Sequence, residues 1–126
     1  MSRRVQLLGR PRIDGAPGGY VMRSRKSWAI LTYLLLSDWP PTRTQLAALL
    51  FDQTDDPLGA VRWGLAEIRR ALGDGADVSG DPVVLQLPPG TVVDVEVMTR
   101  RSWGEAVHLP SLGGQLLEHV QDILEI

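Results

Sequence analysis

Cysteine is absent from this chain of 126 residues, which excludes disulfide frameworks, zinc–thiolate sites and thiol nucleophiles together. Histidine is scarce: His108 and His119 stand alone, without metal-ligand or catalytic-triad spacing. No apolar run approaches the ~20 residues of a membrane-spanning helix. The N-terminus MSRRVQLLG has two arginines but neither a sustained apolar core nor a small-residue cleavage site, so it does not read as a signal peptide. GAPGG lacks the Lys and Ser/Thr of a phosphate loop and falls where a hairpin turn is expected. Lysine is nearly missing too. Twelve Arg stand against one Lys, a bias that fits a GC-rich bacterial genome. The expectation is a cytoplasmic protein that is not an enzyme and needs no metal or cofactor.

What is present is an ordinary globular composition, 44% hydrophobic and 22% charged. The charge is unevenly spread. Residues 1–72 hold eleven Lys/Arg against six Asp/Glu, a balance of +5, while residues 73–126 hold two against nine, a balance of −7. The overall −2 therefore hides a basic front and an acidic back, a pattern that hints at a nucleic-acid face or an acidic appendage.

Periodicity orders the elements. RRVQLLG alternates as a strand, with Val5 and Leu7 on one face. The Gly- and Pro-rich RPRIDGAPGGYVMR predicts a second strand, a turn and a third strand near Tyr20–Met22, which together make a small antiparallel sheet. A helix follows over Arg25–Leu36, with Ser24 as its N-cap. Its apolar stripe of Trp28, Leu31 and Leu35, widened by Ile30 and Leu34, implies burial on two sides. Pro40 and Pro41 end it. Thr42 and Gln45 have capping-box spacing ahead of a second helix with Leu46, Leu49 and Leu50 as its stripe. Asp56 and Pro57 then suit the N-cap and first position of a third helix. There Leu58, Val61, Leu65, Ile68 and Leu72 make one apolar face, and Gly73 supplies the stop. DGADVSGD reads as a loop. VVLQL and TVVDVEV flank PPG and predict a hairpin of Val83–Leu87 with Val92–Val95. The tail beyond Val97 has two helical patterns, TRRSWGEAV and GGQLLEHVQDILEI, and its abrupt end at Ile126 suggests a fragment of a longer protein.

The third helix carries the functional signal. Its outward side holds Trp63, Ala66, Glu67 and Arg70, bordered by Arg62 and Arg69. Small residues let a helix approach a surface closely, and an arginine fork matches guanine's acceptor edge or a phosphate. A solvated arginine flank fits the same pattern, and Glu67 on that side would repel phosphate. Thr42, Arg43 and Thr44 open the second helix, where backbone N–H groups and the dipole favour an anion. Arg25 and Lys26, beside Arg23, form a further basic cluster at the start of the first helix, and an external anion there would relieve their conflict with its dipole. Asp55–Asp56 is better explained by capping than by acid–base work.

From Val5 to about Val97 the chain resembles the winged helix-turn-helix DNA-binding domain of OmpR/PhoB type. It is most like the version found in SARP-type bacterial regulators that carry a bacterial transcriptional activation domain (BTAD). The matching pieces are VQLLGRPRIDG, RKSWAILTYLLLS, PPTRTQLAALLF, DDPLGAVRWGLAEIRRALGD and VVLQLPPGTVVDVEV. The resemblance implies an α+β fold: an N-terminal four-stranded antiparallel sheet, three helices and a C-terminal β-hairpin wing over residues 1–97. Residues 98–126 would be a helical extension resembling the truncated start of the activation domain. It implies a sequence-specific transcriptional regulator that binds double-stranded DNA as a dimer on direct repeats, with Arg62, Trp63, Ala66, Arg69 and Arg70 in the major groove. Thr42, Arg43, Thr44, Arg25 and Lys26 would meet phosphate, and the loop Phe51, Asp52, Gln53, Thr54, Asp55 and Asp56 would contact RNA polymerase. Two features depart from the family. Leu87 and Thr91 replace the usual basic residue and tyrosine around PPG, and Gly64 sits inside the third helix, at a cost of ~1 kcal/mol against alanine. The competing expectation is a winged-helix protein-interaction module without DNA affinity, with Trp63 as its anchor.

Overall fold

The computed structural model describes residues 3–94. Both sequence-expected tail helices, His108, His119 and the acidic residues beyond Asp94 lie outside that range. The order is β1 (Arg4–Gln6), β2 (Arg12–Asp14), α1 (Arg25–Leu36), α2 (Arg43–Leu50), α3 (Pro57–Leu72), β3 (Asp77–Ser79), β4 (Val84–Gln86) and β5 (Val92–Val93). The class is α+β, with three helices and two small sheets. Among the described residues no helix is long and apolar enough to cross a membrane.

The helices begin where their caps dictate. Ser24 Oγ accepts from the Ser27 amide at the start of α1. At α2 the capping box closes in both directions: the Gln45 amide donates to Thr42 Oγ1 at 3.0 Å, and the Thr42 amide donates to Gln45 Oε1 at 2.9 Å. At α3 the Asp56 carboxylate accepts from the Gly59 amide, and Pro57 occupies the first turn, where its missing N–H costs nothing. Gly73 ends α3 with φ of 77°, a conformation that side chains with a Cβ rarely adopt.

Helix α1 is deeply buried along its middle. Six consecutive residues, Ser27 to Thr32, are buried, so it is covered over more than one full turn. The two-sided burial expected from its broad stripe is therefore present, although Leu34 and Leu35 are only half-buried. Two of its polar core groups are satisfied locally: Trp28 Nε1 donates to the Met22 carbonyl, and Thr32 Oγ1 donates to the Trp28 carbonyl, whereas Ser27 Oγ is buried without a hydrogen-bond partner. In α2, Leu46, Ala47 and Leu50 are buried, while Leu49, assigned to the stripe from sequence, is half exposed.

Helix α3 packs against both other helices. Val61, Leu65, Ile68 and Leu72 are fully buried as expected, but Leu58 is 53% exposed. Gly64, Glu67 and Ala71 join the buried side instead. At about 100° per residue this rotates the buried face by about 50° from the leucine stripe, toward α1. Gly64 explains the rotation. A Cβ there would stand 2.6 Å from Ile30 Cδ1, so only glycine lets the two helices approach this closely.

The sheets differ most from expectation. β1 pairs antiparallel with β2 (Val5 opposite Ile13) and parallel with β5 (Val5 opposite Val93), giving the order β2-β1-β5. The expected third strand at Tyr20–Met22 does not form; its groups serve the helices instead, as the Met22 carbonyl takes Trp28 and Tyr20 reaches α3. DGADVSGD is not a plain loop, since β3 forms within it and pairs antiparallel with β4 (Val78 opposite Leu85). PPG does make a turn, with the Thr91 amide donating to the Pro88 carbonyl. The strands on its two sides take different partners, however, so the hairpin of Val83–Leu87 with Val92–Val95 does not form within the described residues. The carboxylate of Asp94 fixes the new arrangement by accepting from the Leu7 and Leu8 amides at 2.9 and 3.0 Å.

Candidate nucleic-acid interface

The open side of α3 is an arc of about 140° running from Leu58 through Arg69, Arg62, Ala66 and Arg70 to Trp63. All five residues expected to read DNA lie on it and are exposed, Trp63 at 58%. The sixteen-residue helix is about 24 Å long, so this surface extends for several turns.

Glu67, expected on this side, is instead 7% exposed. It is the only acidic residue of α3. Tyr20 accounts for its position. The phenol donates to Glu67 Oε2 at 2.8 Å, and the Arg70 guanidinium lies over the Tyr20 ring, 5.2 Å from its centroid. Such stacking restrains a long arginine that would otherwise sample many rotamers. The hydrogen bond to Glu67 raises the Tyr20 phenol above its ordinary value near 10, and desolvation and the glutamate's charge act in the same direction. The second carboxylate oxygen, Oε1, is buried and has no hydrogen-bond partner.

The secondary phosphate candidates stand differently. The α2 N-terminus is already engaged. Besides the capping box, the Arg43 amide donates to Asp81 Oδ1 at 2.9 Å, and Arg43 Nε donates to the Gly80 carbonyl at 3.0 Å. The β3–β4 turn thus lays a carboxylate where an external anion was expected, leaving Thr44 exposed beside it. Lys26 is also committed: its ammonium donates to the Leu50 carbonyl at 2.9 Å and lies 5.9 Å from the Phe51 ring centroid. It closes the C-terminus of α2, the end where the dipole favours a cation. Arg23 and Arg25 remain exposed. In the loop between α2 and α3, Phe51 is buried, while Asp52, Gln53, Thr54, Asp55 and Asp56 face solvent.

No family model, curated protein or solved structure matches this chain. Sequence reasoning missed Tyr20, Asp81 and the inward position of Glu67. Tyr20 lies 47 residues from Glu67 in a Gly- and Pro-rich stretch, where no periodicity links it to α3. One signal did point to Glu67: the small residues Gly64 and Ala71 on its side of the helix mark a surface built for close packing.

Proposed function

We propose that the chain is a sequence-specific, double-stranded-DNA-binding transcriptional regulator of winged helix-turn-helix type, with α3 entering the major groove. One observation carries this reading: the open arc of α3 presents Arg62, Arg69 and Arg70 with Trp63 and small Ala66, and no carboxylate. Arginine forks suit guanine edges and phosphates alike, and Ala66 allows close approach. In this reading α2 crosses the backbone and β3–β4 takes the place of the wing. That hairpin, from Asp77 to Gln86, has acidic Asp77 and Asp81 and no Lys or Arg, so α3 supplies most of the affinity. The exposed Asp52–Asp56 loop is available to RNA polymerase, and pairing on direct repeats would bring two copies together on one duplex.

The test is selection of bound duplexes from a random pool with the wild-type chain, then titration of the recovered site. Replacing Arg62, Arg69 and Arg70 with alanine should abolish enrichment. Equal affinity of wild type and the triple variant would overturn the proposal. A second reading, a protein-interaction module, draws on the exposure of two tryptophans, Trp39 at 80% and Trp63 at 58%, a residue type enriched in interface anchors. It predicts no duplex binding even at ~50 mM salt, where nonspecific electrostatic binding is visible.

A further inference from the structure

Glu67 is an acid hidden within an otherwise basic helix. It is three residues before Arg70 and four after Trp63, so its position borders the open arc. Its burial is incompletely compensated, because Oε2 takes the Tyr20 hydroxyl while Oε1 has no partner. A carboxylate held this way is kept inward by few contacts, and Tyr20 supplies the hydrogen bond. The same tyrosine supports the Arg70 guanidinium on its ring face.

We propose that Tyr20 is a positioning residue for the DNA-reading surface. It holds the one carboxylate of α3 away from the phosphates and, through its ring, holds Arg70 toward them. This rests on the DNA-binding reading above. Without the phenolic hydroxyl both oxygens of Glu67 would be unpartnered, and the side chain turns out to solvent. There, at a spacing of three, it pairs with Arg70 and neutralises it. It also brings a negative charge to within several ångströms of the DNA backbone. The loop that carries Tyr20 therefore sets the charge of a helix it does not belong to.

The experiment is a double-mutant cycle on the full chain, using fluorescence anisotropy with a labelled duplex recovered from the random pool by the wild-type protein. Tyr20→Phe should weaken binding about tenfold, the scale of one misplaced charge near phosphate. The log–log salt slope should fall by about one. In a Glu67→Gln background the same Tyr20→Phe change should alter affinity by less than about twofold, because no carboxylate remains to be released. A tyrosine acting only as packing would weaken binding equally in both backgrounds, and that result overturns the proposal, as does wild-type affinity in Tyr20→Phe. Circular dichroism and melting check folding of each variant. Tyr20→Leu, which likewise lacks a hydrogen-bond donor, replaces Tyr20→Phe if that variant is unfolded, and its loss of affinity should be smaller in the Glu67→Gln background than in the wild type. Failure of the wild-type chain to bind any duplex is a distinguishable result: it overturns the DNA reading and the role of Tyr20 with it.

Discussion

Gly64 shows how one residue sets the relation between two helices. Glycine inside a helix costs ~1 kcal/mol against alanine. The cost is accepted because a Cβ would meet Ile30 Cδ1 at 2.6 Å in a fully buried site. Gly64→Val should therefore destabilise the fold by about 1–3 kcal/mol through overpacking. Gly64→Ala should be far better tolerated when Ile30→Val removes the opposing methyl, and urea melts of the two singles and the double would reveal that coupling. Tyr20 makes a second prediction at this scale. Its folded-state pKa is raised by the bond to Glu67. The contribution to stability is then fully present below the unfolded value near 10 and is lost as pH rises through the higher folded value. Ultraviolet titration should find one tyrosine ionising late, and Glu67→Ala, which removes both the acceptor and the charge, should reduce that delay.

Among the elements, the three helices were legible in sequence and the strand pairings were not. Helix starts are written locally. Ser24, the Thr42–Gln45 box and Asp56–Pro57 each satisfy orphan N–H groups within four residues. Strand partners are set at a distance. β5 leaves the PPG turn and pairs with β1, about ninety residues earlier, and no local pattern in TVVDVEV records that choice. Faces were half legible. The leucine stripe of α3 located Val61, Leu65, Ile68 and Leu72, but Leu58 and Glu67 exchanged sides because the close approach at Gly64 turns the helix toward α1. The five α3 residues selected from sequence do share an open arc, whereas Arg43 and Lys26 are held by partners that sequence could not reveal. Thr42→Ala should cost about 1 kcal/mol, read from the urea midpoint, because it opens the capping box. Asp81→Ala should lower stability as well, by removing the acceptor of the Arg43 amide and a carboxylate at the positive end of α2.

Across the whole molecule, charge is sorted by surface. The near-neutral total conceals a basic first half and an acidic second half. Within the described residues the fold refines that sorting: Glu67 is withdrawn from α3, Asp81 is laid on α2, and three arginines are left together on one helix face. Binding through such a face is driven largely by counterion release, so its signature is the salt dependence. The most direct measurement is a titration of the selected duplex across a salt series, with wild type and the Arg62/Arg69/Arg70 triple alanine variant side by side. The account predicts wild-type binding that weakens steeply with salt, and a triple variant with much lower affinity and a log–log slope smaller by about three. Superimposable curves for the two proteins, or no wild-type binding at ~50 mM salt, would contradict it.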